Sequence, residues 1–108
     1  MATIQQGDII KIAFDGTKGH EQSGWRPAIV VSNDAFNNMS RMAKVLPITH
    51  TNNGFPLHVK LPSGLETDGF VLLEHERTFD LNAREWKLVE KCPSSFIRQI
   101  RQMSLETY

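Results

Sequence analysis

Between Lys18 and Arg26 the chain reads KGHEQSGWR, which places an ammonium, an imidazole, a carboxylate, a carboxamide and a guanidinium within nine residues. The apolar run PAIVV follows at once, so these groups stand at the mouth of a buried segment. Two more polar stations share that setting: Thr49 and His50 close MAKVLPI, and Glu74 and His75 close GFVLL. A guanidinium, a hydroxyl and a carboxylate or imidazole meeting at one rim suit phosphodiester chemistry. Arg26 would neutralise phosphorane oxygens, Thr49 would donate to a non-bridging oxygen, and a carboxylate or imidazole would move a 2′-hydroxyl proton. RNA brings that nucleophile itself, so neither a metal nor an activated serine is required. Plainer roles compete: Arg26 can pair with Glu21, and Thr49 can simply hold its turn.

Other reaction classes find little support. His20, His50, His58 and His75 form no HxxxH or HxH pair and Cys92 is the only cysteine, so no metal site is expected. GxSxG, P-loop and GxGxxG motifs are absent, and no cofactor is expected. A single thiol allows no internal disulfide and fits a reduced, cytoplasmic setting. The start MATIQQGDII has neither a basic n-region nor a long apolar run, and no stretch nears the ~18 apolar residues of a membrane span. Lys plus Arg number 12 and Asp plus Glu number 12, which leaves open a polyanionic partner met by cations gathered on one face. A length of 108 residues fits one domain, 1–108, whose small core a partner subunit would help to stabilise.

The elements that must position these groups are short strands. DIIKIAF (8–14) spaces Ile10, Ile12 and Phe14 at period two. DGTKGHEQSG (15–24) has three glycines and no apolar residue, which makes it a long polar loop. RPAIVVS (26–32) reads as a central, well-buried strand, with Pro27 confined to its start because proline donates nothing to a ladder. NDAFNN (33–38) suggests a turn or one short helical turn capped by Asn33 or Asp34. MAKVLPIT (42–49) is a strand in which Pro47 marks an edge or bulge. LHVKL (57–61) alternates, with Leu57, Val59 and Leu61 inward and His58 and Lys60 toward solvent. GFVLLE (69–74) is a buried strand that delivers Glu74. TFDLNAREW (78–86) reads as irregular or a short helical turn, and KLVEK (87–91) as a strand. After Pro93, Ser94 or Ser95 is expected to cap a helix with Phe96, Ile97, Ile100 and Met103 on one face and Arg98, Gln99, Arg101 and Gln102 on the other. Such a pattern predicts a mainly β fold, a small barrel closed so as to limit free edges.

GHEQSGWRPAIVVS resembles the G-x-E-Q-x-G-x-R-P signature, followed by three aliphatic positions and a serine, of the MazF/PemK (Kid/ChpB-like) toxins of bacterial type II toxin–antitoxin systems. Gly7-Asp8, VLPIT and DGFVLLEHERTFDL are similar to further blocks of that family in the same order. The likeness covers nearly the whole chain, and GHEQ with FDLNAR lies closer to the PemK and ChpB branch. It implies a mainly β, SH3-like small barrel of the CcdB/PemK type with a C-terminal helix, usually a homodimer. It also implies a ribosome-independent endoribonuclease that cleaves single-stranded RNA, messenger RNA in particular, and so stops translation and growth. Cleavage would be metal-independent transesterification to 2′,3′-cyclic phosphate and 5′-hydroxyl ends. A cognate antitoxin would block the site with a disordered acidic and apolar tail. By motif, Arg26 would be the catalytic arginine and Thr49 the phosphate-binding threonine, supported by His20, Glu21 and Glu74. Lys18, Gln22, His50, Phe55, His75 and Arg77 would contact the RNA.

The chain departs from the family pattern in places. An arginine that the PemK branch uses as general acid is Leu72 here. His75 replaces a glutamine and Glu76 a usually apolar residue, both where the family reads bases, so a cleavage motif other than A-C-A is expected. Two alternatives belong to other functional classes. A non-enzymatic CcdB-like inhibitor of DNA gyrase generally lacks the R-P and P-x-T pair and carries a Trp-Gly-Ile tail, whereas this chain ends MSLETY. The other alternative is a nucleic-acid-binding barrel without catalysis.

Overall fold

The computed structural model describes residues 3–13, 24–51 and 54–108. Phe14, Lys18, His20, Glu21 and Gln22 lie outside the described residues. Among the described residues there are seven strands, β1 (Asp8–Ala13), β2 (Trp25–Val30), β3 (Met42–Thr49), β4 (His58–Lys60), β5 (Phe70–Leu72), β6 (Arg77–Asp80) and β7 (Trp86–Lys91), with helices α1 (Asp34–Ser40) and α2 (Ser94–Leu105). All pairings are antiparallel, in the order β4-β5-β3-β2-β1-β7, with β6 laid against β3.

β2 is the central strand that its β-branched run predicts, and Ala28, Ile29 and Val30 are fully buried between β1 and β3. β1 is buried on both faces rather than one, because Ile9 packs with Leu46 and Ile97 while Ile10 and Ile12 pack with Val45 and Phe79. β3 organises the rest. Its first half pairs with β6 (Met42 to Val45) and its end with β5 (Ile48 and Thr49), so its outer edge changes partner at Leu46–Pro47. Proline, which cannot donate to a ladder, occupies the step where no ladder bond is required on that side. At the head of α1, the Asn33 side chain accepts from the Phe36 N–H at 2.7 Å, the cap that the sequence allows.

Three expectations are corrected. GFVLLE does not stay extended: β5 ends at Leu72, and Leu73–His75 form a single 3-10 turn that buries Leu73 and turns Glu74 outward. The first residues of TFDLNAREW, 78–80, belong to a strand (β6) rather than to an irregular segment, because β3 offers a free edge and Phe79 packs into the core opposite Ala43. Pro93, without a side-chain cap, precedes α2, so neither Ser94 nor Ser95 caps it. Its buried face is Phe96, Ile97 and Ile100 as expected, with Met103 half-buried.

Nor is the barrel closed by strand pairing, since β4 and β7 end the sheet. A side chain spans the gap. From β7, the Glu90 carboxylate accepts the N–H groups of Glu66 at 3.0 Å and Thr67 at 2.7 Å, in the connection between β4 and β5. Burial pushes the Glu90 carboxyl up, but these donors and the Thr67 hydroxyl outweigh it and hold it below the usual carboxylate value. A carboxyl lowered by folding contributes stability that is complete above its ordinary pKa and is lost as pH falls through the folded value. Glu90→Gln should therefore cost about 2 kcal/mol at neutral pH, from weakened hydrogen bonds to a charged acceptor. Urea titrations of both proteins from pH 7 down to about pH 3 should bring the curves together. A gap that stays constant with pH would remove the carboxylate from the account.

Candidate active site

β2 and β3 pair as Ala28↔Pro47, Ile29↔Leu46 and Val30↔Val45. The same register continued by two residues sets Arg26 opposite Thr49, just past the last paired residues. Arg26 pairs with Ile12 on its other side, Thr49 with Phe70, and Phe70 with Lys60. Residues directly opposite one another in a sheet share a face, so Ile12, Arg26, Thr49, Phe70 and Lys60 form one row across five strands. Ala28, Val30 and Val45 lie further down the same face and are fully buried, which fixes the strand ends beneath the row. Arg26 is exposed and Thr49 half-buried. The Thr51 N–H donates to Thr49 Oγ1 at 3.2 Å, so Thr49 does hold its turn. As an acceptor there, its hydroxyl proton is still available to a ligand.

A second cluster occupies the next row on this face, where Leu72 pairs with His58. His58 Nε2 and Glu74 Oε2 are 2.6 Å apart, and His75 Nε2 is 3.5 Å from the same oxygen. The His58 side chain is only 8% exposed, against 26% for Glu74. Phe55 covers His58 edge-on at 5.2 Å. His58 therefore does not face solvent as its alternation in β4 predicts, because an aromatic lid and a carboxylate acceptor from the adjoining turn give it a buried place. Partial burial pushes the Glu74 carboxyl up, but the His58 hydrogen bond, a backbone N–H and the two imidazoles outweigh it and hold it below the usual value.

The polar stations thus form two groups rather than one. Strands are ~4.8 Å apart and same-face rows ~7 Å, which puts His58 roughly 12 Å from Thr49 between backbone positions. His50 belongs to neither group, with its Nδ1 3.5 Å from Asp68 Oδ1 and both side chains exposed. Arg77 lies opposite Val45 on β6, lower on the sheet. Glu76 accepts from the Tyr108 hydroxyl at 3.0 Å, and this bond and the carboxylate's charge push the phenol up. The histidine that sequence reasoning missed is His58. Its only signal would have been the pairing of β4 with β5, which places it across from the residue two before Glu74. Among the described residues no cluster of three or more His, Cys, Asp or Glu could hold a metal, and no helix is long and apolar enough to cross a membrane.

A partly open antiparallel barrel with one terminal helix, and an arginine and a threonine just past the last β2–β3 pair, are the frame on which a family can be sought. Residues 5–104 match the PemK-like, MazF-like toxin family of type II toxin–antitoxin systems, and the chain belongs to that family. It is 33% identical over 102 residues to the endoribonuclease PemK of Escherichia coli, covering 90% of this chain and 76% of that protein. It is 42% identical over 78 residues to the endoribonuclease toxin MazF of Escherichia coli strain K12, covering 72% of this chain and 69% of MazF. The crystal structure of MazE–MazF (Form-I) from Deinococcus radiodurans superposes with a TM-score of 0.80 at 26% identity, over 96% of this chain and 94% of that one.

Proposed function

We propose that the chain is a ribosome-independent endoribonuclease acting on single-stranded RNA, messenger RNA above all, as the toxin of a type II toxin–antitoxin pair. Membership of the family supports the class, and PemK and MazF are endoribonucleases by name. The observation that carries the chemistry is that β2 and β3 last pair at Ala28↔Pro47, which leaves Arg26 and Thr49 each two residues beyond it at the open end of the ladder. Arg26 grips the non-bridging oxygens of the scissile phosphate, and Thr49 donates its hydroxyl proton to one of them. Both contacts strengthen as negative charge grows in the phosphorane. The ribose 2′-oxygen attacks, the O2′–P bond forms and the P–O5′ bond breaks. A 2′,3′-cyclic phosphate and a 5′-hydroxyl result. His20, Glu21 and Glu74 are the candidates for moving the two protons. Lys18, Gln22, His50, Phe55, His75 and Arg77 hold flanking nucleotides. The protein acts as one domain in a cytoplasmic homodimer, and a cognate antitoxin with a disordered acidic and apolar tail competes with RNA for Arg26. The MazE–MazF complex supports such a partner.

The test is incubation of the purified protein with a long RNA in EDTA. Cleavage should persist, because a guanidinium supplies the charge and RNA the nucleophile, and the 3′ ends should carry cyclic phosphate. Loss of activity that added Mg²⁺ restores, or 3′-hydroxyl ends, would overturn the mechanism.

A further inference from the structure

We propose that His58 is a positioning residue, holding the Glu74 carboxylate by one oxygen and leaving the other to accept the 2′-hydroxyl proton of the RNA. The inference rests on the nuclease reading above and assigns one of its proton carriers. Three observations carry it. At 2.6 Å the His58–Glu74 contact is short even for a charge-assisted bond, and it uses Oε2. His58 is nine-tenths buried under Phe55, so its ring cannot swing away, and its backbone N–H is itself fixed to the Phe55 carbonyl at 2.9 Å. Its Nδ1 is buried without a hydrogen-bond partner. A proton placed there would be a stranded donor, so the tautomer carrying Nε2–H is favoured, and that proton points at Glu74.

Glu74 is thereby the acceptor in this bond, an ionised carboxylate with Oε1 outside it. A carboxylate in that state can accept a proton, and the Glu74 side chain keeps 26% of its surface exposed for a ribose to meet. The roughly 12 Å between the backbone positions of Thr49 and His58, less the reach of the side chains, leaves room for about one ribose-phosphate unit. In the step, the O2′ proton passes to Glu74 Oε1 as the O2′–P bond forms. The P–O5′ pair leaves on O5′, which takes a proton from water, and Glu74 returns its own to solvent.

Among the described residues, few other groups titrate toward Glu74. Its own turn supplies His75, 3.5 Å away, and β4 supplies His58. On the α2 side, Tyr108 is bonded to Glu76 and Arg98 and Arg101 line a groove with Lys44 of β3 beside it. His50, at the end of β3, is engaged with Asp68.

Cleavage rates on a synthetic RNA with one mapped cut site, measured from pH 4.5 to 8, test the assignment with His58→Leu, His58→Gln, Glu74→Gln and Arg26→Ala. His58→Leu should lower kcat about tenfold at little change in KM, as expected when a proton acceptor is loosened rather than removed. Its acid limb should move to higher pH, since the donor that favours the ionised carboxylate is gone. His58→Gln, which can still donate to Oε2, should recover most of the rate and the original limb. Glu74→Gln should lose about 10²-fold in kcat. An inactive Arg26→Ala with unchanged pH profiles in both His58 variants would overturn the role of His58 alone. A Glu74→Gln protein that cuts at the normal rate but at different sequences would make Glu74 a base reader and overturn it too. Full cleavage by Arg26→Ala would instead remove the nuclease site on which the inference rests. If His58→Leu fails to fold, the His58→Gln and Glu74→Gln profiles decide.

Discussion

Arg26→Ala is expected to reduce RNA cleavage by about 10²–10³-fold, the magnitude typical of one lost electrostatic donor to a developing oxyanion. Arg26 is exposed at the strand end, beyond the last β2–β3 pair, and the buried residues nearest it in β2 are Ala28, Ile29 and Val30. The barrel should therefore keep its melting temperature, because a rim charge contributes little to the core. Expression without an antitoxin should become harmless to the host. Single-turnover rates beside thermal melts decide the matter. A variant that melts far below the parent would make Arg26 a structural ion-pair partner, as the Glu21 pairing would have it.

Gly69→Ala is expected to be the most damaging single methyl in the described part of the chain. Gly69 has φ +130°, a backbone conformation that L side chains rarely adopt. A Cβ there would press on the Thr49 carbonyl oxygen, with the carbonyl carbon at 3.1 Å and Ile48 Cγ2 at 3.2 Å. Backbone strain of ~1–3 kcal/mol and overpacking of ~1–3 kcal/mol both apply, so roughly 3 kcal/mol should be lost. That corresponds to a fall in melting temperature on the order of 10–20 °C for a domain of this size. Because the obstruction is Thr49 itself, residual folded protein should also cleave poorly at low temperature. An unchanged melting curve would mean that β5 and β3 do not meet as closely as the structure places them.

How much of this was legible beforehand differs by element. β2 could be read because its apolar run of Ala28, Ile29 and Val30 is buried on both faces, β3 because Ala43, Val45, Leu46 and Ile48 are apolar over a strand-length stretch, and α2 because Phe96, Ile97 and Ile100 repeat at helical spacing. β6 could not. Only Phe79 of its four residues is buried, so no alternation marks it, and it is a strand because β3 offers it an edge. Closure by Glu90 was equally hidden, since a lone carboxylate in β7 carries no sign of the two amides 23 and 24 residues away. Within the site, motif spacing brought out Arg26, Thr49 and Glu74. Their division into two groups depends on strand register, which local patterning does not specify. His58 was misread for the same reason: period-two alternation assigns a face, while burial on that face depends on what crosses it, here Phe55.

The change of partner along β3 has a mechanical consequence. Arg26 is fastened to β1 through Ile12, and Thr49 to β5 through Phe70, while the ladder between β2 and β3 stops at Ala28–Pro47. Beyond that pair the β2–β3 register is not continued, so the guanidinium stands on one lip of a fork and the hydroxyl on the other. Under the proposed mechanism, a phosphate held by both would act as a strut between them. Occupancy of the site would then stiffen the sheet as a whole, so a non-cleavable oligonucleotide carrying 2′-deoxyribose at the cut position should raise the melting temperature with its concentration, by mass action on the folded state.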